Sequence, residues 1–106
     1  MIDPRDLRIG NIYRYKGTVH RVTELTKHTV DGFNYVVTDS DYVPITDKEL
    51  GLLGFEFDDT FWYKDSFVVS FSKGRWNLGY DDLMWFEITY VHELQNYCWM
   101  LAKLEL

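Results

Sequence analysis

Two pairs of adjacent acids and one histidine-glutamate pair come nearest to catalytic chemistry in this chain. His92-Glu93 has the first two residues of a zinc-hydrolase helix motif, but position 96, where the second histidine would stand, is asparagine. Asp58-Asp59 and Asp81-Asp82 offer carboxylates for acid-base or metal chemistry, yet no nucleophile or oxyanion stabiliser accompanies them. We therefore predict no catalytic residues, no metal site, no cofactor and no evident small-molecule substrate, and hence a protein that is not an enzyme.

The only cysteine and the histidines receive structural roles. Cys98 excludes an intrachain disulfide, and its place in an apolar helical pattern predicts a buried thiol. His20 is expected to pair across two strands with Tyr13. Residues 1–8 lack the apolar stretch of a signal peptide, and no run is long enough to span a membrane. These features predict a cytoplasmic protein with no membrane association.

Charge is distributed unevenly along the chain. The net charge is -6, but residues 1–30 hold six Lys or Arg against three Asp or Glu, while the remainder holds five against fourteen. A basic patch near tyrosines is typical of proteins that bind single-stranded nucleic acid. Its candidate members are Arg8, Arg14, Lys16, Arg21 and Lys27. The alternative reading is a charged face that keeps the first hairpin soluble, since the acidic remainder opposes nucleic-acid binding.

Aromatic residues are concentrated in the middle of the chain. Twelve of the 19 aromatic residues lie between Phe55 and Tyr90. These aromatic side chains cannot all be buried in a core of this size, so some must be partly exposed. Exposed aromatic residues anchor protein interfaces. The candidate partner-binding residues are Trp62, Tyr63, Trp76, Tyr80 and Trp85, with Asp58, Asp59, Asp65, Asp81 and Asp82 around them. The acids favour a basic partner surface, and the partner could also be a second copy of the chain.

The first forty residues predict a meander of short strands. Lys16-Gly17 separates two strand-like runs, and a two-residue turn there would pair Tyr13 with His20 and place Arg14 and Arg21 together on the other face. Further strands are expected near Thr29-Val30 and at residues 33–38, on either side of Asp31-Gly32. This layout is typical of a small SH3-like barrel.

The second half predicts two helices and an antiparallel sheet. Thr46 and Glu49 form a capping box that begins a helix over Asp47 to Leu53, with Gly54 ending it. Alternation from Phe55 to Ser72 and a run at 84–88 predict strands, with a loop at 79–82. A last helix, residues 90–106, is capped by Thr89. We expect Val91, Leu94, Cys98 and Leu101 to face the sheet, and His92, Glu93, Gln95, Asn96 and Lys103 to lie mostly on other faces.

These elements predict one α+β domain over residues 1–106. Its bent antiparallel sheet is SH3-like in the first half and packs against the carboxy-terminal helix, with one short helix in the middle.

Three segments carry a resemblance to a known group of proteins. Residues 90–96 (YVHELQN), 44–55 and 7–11 (LRIGN) together resemble a family of small uncharacterised proteins encoded by bacteria, prophages and phages. The resemblance implies a compact accessory or mobile-element protein with no assigned activity. We therefore expect a non-enzymatic protein-binding or modulator module that acts on a host protein; the alternative is a nucleic-acid-binding small barrel.

Overall fold

The computed structural model describes residues 2–26, 28–32, 40–81 and 84–106. The fold is α+β, with two antiparallel sheets and one main helix near the carboxy-terminal end. The strands are β1 (Ile12–Tyr15), β2 (Thr18–Arg21), β3 (Ser40–Tyr42), β4 (Glu56–Phe57), β5 (Trp62–Lys64), β6 (Phe67–Ser72), β7 (Arg75–Tyr80) and β8 (Met84–Ile88). The helices are α1 (Asp47–Leu52) and α2 (Val91–Ala102), preceded by a 3-10 turn at Pro4–Asp6.

The predicted first hairpin is confirmed in its register. Tyr13 pairs with His20 and Tyr15 with Thr18 around a turn in which Lys16 and Gly17 both have positive φ angles, 51° and 78°. Such angles suit a type I′ turn, whose twist matches the flanking strands. The rings of Tyr13 and His20 stack with centroids 5.5 Å apart.

The described residues form no closed barrel, so the SH3-like arrangement is not confirmed. The amino-terminal sheet has three strands in the order β2-β1-β3, and the strand expected near Thr29 is reduced to one bridge between Leu25 and Val30. The strand expected at 33–38 lies outside the described residues. Instead of closing, the sheet continues through a short pairing of residues 43–45 with 89–91, where the N–H of Val91 donates to the Val43 carbonyl (2.8 Å).

The second sheet has five strands in sequence order, β4-β5-β6-β7-β8. The loop predicted at 79–82 is partly wrong, because Gly79 and Tyr80 continue β7 and pair with Val68 and Phe67. The signal from Gly79 is misleading because a glycine inside a strand also occurs where a neighbouring side chain lies against the backbone.

The two helices begin with different caps. Thr46 accepts the N–H of Glu49 (3.3 Å) as predicted, while α1 ends one residue earlier than expected and Gly54 follows with a φ of 93°. The N-cap residue of α2 is Tyr90 rather than the predicted Thr89. The Glu93 carboxylate satisfies both backbone N–H groups there, at 2.9 Å from Thr89 and 2.8 Å from Tyr90. Neither helix has the length and apolar character that a membrane crossing requires, in the part of the chain that the structure describes.

Helix α2 is buried on more of its circumference than its apolar pattern predicts. Val91, Leu94 and Cys98 face the main core as expected, but His92 and Gln95 are also buried, with only 6% and 1% of their surfaces exposed. The amino-terminal segment packs against this second side of the helix. Gln95 Oε1 accepts the N–H of Ile12 (2.9 Å), so a polar side chain is stabilised in a buried position on a face that the apolar pattern did not mark as buried.

Strand β1 lies between two hydrophobic cores. Ile12 packs into the larger core, which the five-stranded sheet, α1 and α2 share. Tyr13, the next residue, packs into a smaller core with Leu7, Val22 and Val30. This alternation of adjacent side chains joins the two sheets through one strand.

Candidate binding groove

The five-stranded sheet separates its aromatic side chains onto two faces. Paired residues share a face, so the row Phe57-Trp62-Val69-Leu78-Phe86 lies on one side and the row Glu56-Tyr63-Val68-Gly79-Trp85 on the other. We call the first side the inner face, since Val69 and Leu78 are fully buried in the main core. The second side is the outer face.

Only part of the inner face is covered. Phe67, Val69, Leu78 and Ile88 are buried with residues of α1 and α2. Four aromatic residues on the same face are left at the edge of this cover: Phe57, Trp62, Phe71 and Trp76. Phe57 is 52% exposed and Phe71 is 59% exposed, while the two tryptophans are half-buried.

These four residues line a cavity of about 500 Å³, which we call the aromatic groove. Its floor is the sheet at Val69, and its other wall is the segment leading into α1, residues 45–47. The groove combines elements that are distant in sequence, because the pairing of residues 43–45 with 89–91 positions the start of α1 beside the inner face.

Each tryptophan of the groove is paired with a phenylalanine directly opposite on the neighbouring strand. The Phe57 and Trp62 rings lie 5.0 Å apart between centroids, and the Phe71 and Trp76 rings lie 4.8 Å apart. Such contacts fix the rings against each other, so little side-chain entropy remains to be lost when a partner binds. The groove is therefore a preformed apolar surface.

The indole N–H groups of Trp62 and Trp76 have no hydrogen-bond acceptor among the described residues, and neither nitrogen is fully enclosed. Buried tryptophans normally find an acceptor, and exposed ones donate to water. Thr46, Asp47 and Thr60 also line the groove, so its aromatic surface is accompanied by a few polar side chains.

Acidic residues flank the groove. Asp47 lines it, and Asp58 follows Phe57 directly. The Asp58 carboxylate accepts the N–H groups of Phe61 (2.8 Å) and Thr60 (2.9 Å), and these bonds lower the pKa of Asp58 below its usual value. Asp58 therefore stays charged over a wide pH range, but it also interacts with Tyr63 of the outer face and does not line the groove, so the negative charge of the groove lining comes from Asp47.

The structure brings together some of the predicted partner-binding residues and separates others. Trp62 and Trp76 share the aromatic groove, whereas Tyr63 and Trp85 lie on the outer face. Tyr80 packs on Phe67 in the main core, with ring centroids 4.8 Å apart. The remaining predicted acids, Asp59, Asp65 and Asp81, lie exposed in turns, and Asp82 lies outside the described residues.

Sequence reasoning missed Phe57, Phe71 and Asp47 as groove residues. Phe71 alternates with the buried Phe67 and Val69, and Phe57 with the buried Phe55, so the pattern alone places both phenylalanines in the core. Asp47 reads as an ordinary acid of a helical first turn.

Trp85 on the outer face has a structural contact of its own. A Cβ atom at Gly79 would lie 2.8 Å from the Trp85 ring, so the indole rests directly on the glycine backbone. An aromatic side chain that covers a cross-strand glycine stabilises the pair. This contact gives Trp85 a reason to be exposed that requires no partner.

The predicted basic patch is partly engaged in contacts within the chain. Arg8 forms a salt bridge with Glu105 (2.8 Å) and lies over the Trp99 ring. Arg21 donates to the carbonyls of Gly10 (2.9 Å) and Leu106 (2.8 Å). Arg14 shares the predicted face with Arg21. Lys16 extends over Tyr15 at the hairpin turn, and Lys27 lies outside the described residues.

A second cavity, of about 520 Å³, lies on the other side of α2. The His92 ring contacts the rings of Tyr42 (centroids 4.5 Å apart) and Tyr90 (5.9 Å), which also lie 5.2 Å from each other, and its Nδ1 atom has no hydrogen-bond partner among the described residues. Burial lowers the pKa of His92. The Tyr42 hydroxyl donates to Asp6 (2.6 Å), and its burial raises the pKa of Tyr42 to about 12.

Among the residues that the structure describes, no three His, Cys, Asp or Glu side chains approach one another as a ligand set. Cys98 is fully buried as predicted, and burial raises the pKa of its thiol to about 12. A protonated, enclosed thiol is a poor nucleophile.

Comparisons with models of protein families, with curated proteins and with solved structures find no match to this chain. The function must therefore be argued from the geometry of the groove itself.

Proposed function

We propose that this protein is a non-enzymatic protein-binding module whose contact surface is the aromatic groove. One observation carries the proposal: four large aromatic side chains lie on the core-forming face of a sheet, and the helices leave two of them largely exposed and the other two half-buried. Exposed aromatic rings fixed in a concave surface are the residues that contribute most to protein association.

Covering the groove would bury apolar surface that contributes to binding. Full burial of a phenylalanine side chain contributes roughly 1.5 to 3 kcal/mol, and Phe57 and Phe71 each have about half of their surface left to bury. The tryptophans add area in the same groove. Because the ring pairs are already ordered, less of this gain is offset by conformational entropy.

The structure favours the groove over the predicted outer aromatics as the contact surface. Trp85 has its contact with Gly79, and Tyr80 belongs to the core. Trp62 and Trp76, by contrast, line the groove together with flanking Asp47. The proposed class of function is therefore the protein-binding module predicted from the sequence, and Trp62 and Trp76 are the predicted aromatic residues that remain in the proposed contact surface.

Nucleic-acid binding remains the alternative, with less support than the sequence offered. Arg8 and Arg21 are held by the chain segment at Glu105 and Leu106, which competes with phosphate for the same guanidinium groups. Arg14 and Lys16 are left as candidates. In line with the resemblance to bacterial and phage proteins, we propose a cytoplasmic host or phage protein, or a second copy of this chain, as the partner class.

A selection from a displayed library of random peptides tests the proposal. We expect it to enrich ligands whose binding is lost in Phe71→Ser and retained in Leu52→Ser. Leu52 is a matched control because it is 72% exposed on α1 and does not line the groove. Analytical ultracentrifugation of the same two variants tests self-association through the groove. If neither a peptide nor a second copy shows this dependence on Phe71, the proposal is wrong.

A further inference from the structure

We infer that the second cavity, on the side of α2 away from the aromatic groove, is a binding site for an alkylated ammonium group. The inference is independent of the proposed function, because the two cavities share no lining residue. Three features of the second cavity support it: an ordered aromatic wall, two carboxylates with unengaged oxygen atoms, and a buried histidine that remains neutral.

The wall of the second cavity is aromatic and already ordered. Tyr42 from β3 and Tyr90 and His92 at the start of α2 contact one another, with ring centroids 4.5 to 5.9 Å apart. Tyr97 lines the same cavity and stacks on Phe86, with ring centroids 4.4 Å apart. Because each ring is held by another, little side-chain entropy is lost when a ligand binds. The volume of about 520 Å³ is within the range of cavities that hold small molecules.

The charge of the lining selects a cation. Asp6 and Glu93 contribute carboxylates, and no lysine or arginine among the described residues lines the cavity. Asp6 Oδ2 accepts the Tyr42 hydroxyl (2.6 Å), and Glu93 Oε1 accepts two backbone N–H groups at the start of α2. The other oxygen of each carboxylate has no hydrogen-bond partner in the described part of the chain. Arg5, next to Asp6 in sequence, is paired with Asp3 (2.8 Å). An anion would be repelled, and a neutral ligand would desolvate the carboxylates without compensating their charge.

His92 adds a neutral ring to the wall. Only 6% of its surface is exposed, and its Nδ1 atom is enclosed without a hydrogen-bond partner among the described residues. A protonated imidazole has an N–H on both ring nitrogens, so protonation would bury a donor that has no acceptor. Burial accordingly lowers the pKa of His92, while Glu93 and Asp6 act against this shift. A cation in the cavity therefore meets an uncharged ring rather than an imidazolium.

The lining also distinguishes an alkylated ammonium group from other cations. A metal ion such as Ca²⁺ needs several oxygen ligands close together, and no three His, Cys, Asp or Glu side chains of the described chain approach as a ligand set. The methyl groups of a quaternary ammonium pack against aromatic carbon, the rings attract its charge, and the carboxylates compensate it. A bare ammonium ion is strongly hydrated and has no methyl groups to bury, so the aromatic wall favours the alkylated form.

An NMR titration of the histidine ring signals tests this inference. The chain has three histidines, and the His92→Phe variant assigns the signal of His92. The probe is choline chloride, and the matched probe is neohexanol, its uncharged analogue in which a carbon atom replaces the nitrogen. Sodium chloride keeps the ionic strength constant, at a pH above the ordinary histidine pKa of about 6.5.

We expect choline to shift the His92 signal in a saturable manner, with a Kd of about 1 mM or below. The signal of His20, which stacks on Tyr13 in the first hairpin, should not move. Neohexanol and ammonium chloride should each bind at least about tenfold more weakly than choline. No saturable shift of the His92 signal up to about 50 mM choline, or equal affinity for neohexanol, would overturn the inference.

Variants without the carboxylate charges test the source of the selectivity. Asp6→Asn and Glu93→Gln keep an oxygen acceptor for the Tyr42 hydroxyl and for the helix start, and choline affinity of the double variant should fall at least about tenfold. The matched control combines Asp59→Asn and Asp81→Asn, in exposed turns outside the cavity with positive φ angles that asparagine tolerates. It should bind choline as the parent does. Unchanged affinity in the cavity variant, or equal weakening in both variants, would overturn the inference.

A peptide with one trimethyllysine separates the two sources of an alkylated ammonium group. Tighter binding of this peptide than of choline would assign the cavity to a protein side chain, and the reverse order would assign it to a free small molecule. The Phe71→Ser variant should bind choline as the parent does, because Phe71 lines only the aromatic groove. Failure of choline binding and failure of the proposed function are therefore measured separately.

Discussion

Phe67 and Phe71 lie four residues apart on β6, and their side chains are on the same face of the sheet. Phe67 is nevertheless fully buried, whereas Phe71 is largely exposed. Phe67 lies under the helices with Val69, Leu78 and Ile88. Phe71 lies in the aromatic groove with Trp76. The two ends of the inner face therefore have the same residue chemistry and differ in what covers them.

The difference arises from dimensions. A six-residue strand such as β6 is about 20 Å long, and one helix with its side chains is about 10 to 12 Å wide. Helix α2 therefore covers a stripe of the inner face, and the short helix α1 adds one wall at its edge. The covered end stabilises the fold, and the uncovered end remains available for binding.

The largest effect is expected from Phe67→Ala in the covered end. Removing a fully buried phenylalanine costs roughly 3 to 5 kcal/mol, because transfer energy is lost and a cavity remains. Phe71→Ala should change the free energy of unfolding by only about 0.5 kcal/mol, as for most exposed positions. Urea unfolding monitored by circular dichroism measures both. Similar costs for the two variants would mean that the uncovered end is also part of the core.

Gly79→Ala should have the next largest effect and tests the outer face. The added Cβ atom would lie 2.8 Å from the Trp85 ring, so the ring must move, at a cost of roughly 1 to 3 kcal/mol. In a Trp85→Ala background the clash is absent and most of this cost should disappear. A double-mutant cycle by urea unfolding measures the coupling. An equal cost in both backgrounds would contradict the contact and return Trp85 to the candidate binding residues.

Glu93→Ala should have a smaller effect on stability, and it tests helix α2, which covers part of the inner face. The substitution removes the carboxylate that accepts the N–H groups of Thr89 and Tyr90 at the start of α2, and loss of such a cap costs about 1 kcal/mol. Thermal unfolding measures the loss. Peptide binding by the groove should be unchanged, since Glu93 does not line it. A parallel loss of binding would show that the groove depends on the position of α2.

Local signals in the sequence predicted the local structure well. The Lys16-Gly17 turn sets the hairpin register, and Thr46 with Glu49 sets the start of α1, because each requires only neighbouring residues. The pairing of two distant segments, 43–45 with 89–91, carries no such signal. The predicted SH3-like barrel is not confirmed among the described residues, and barrel closure depends on long-range pairing of this kind.

The candidate site was predictable in residue type but not in arrangement. Trp62 and Trp76 were identified as binding residues from their abundance and polar surroundings, and the structure places both in the groove. Phe71 was not predicted as a binding residue, because strand alternation assigns a side chain to a face of the sheet and does not say where the covering helix ends. His92 and Gln95 were predicted on faces of α2 away from the sheet, and the helical pattern could not show that the amino-terminal segment buries them there.

The smallest expected effect is a pH dependence from His92, on the side of α2 away from the groove. Burial lowers the pKa of His92 in the folded protein, while nearby Glu93 and Asp6 act against this shift. In the unfolded chain a histidine has a pKa of about 6.5, so below that pH the unfolded state takes up a proton that the native state resists. Stability should therefore fall as the pH falls through this value.

His92→Phe tests this contribution because a phenylalanine keeps an aromatic ring in contact with Tyr42 and Tyr90. The free energy of unfolding, measured by urea titration from about pH 7 to about pH 5, should decrease less steeply in the variant than in the parent. An unchanged slope would mean that the native state accommodates the charged imidazole, with Asp6 and Glu93 compensating for its burial. Binding of peptides by the aromatic groove should be the same in both proteins, because His92 lines the second cavity and the two cavities share no lining residue.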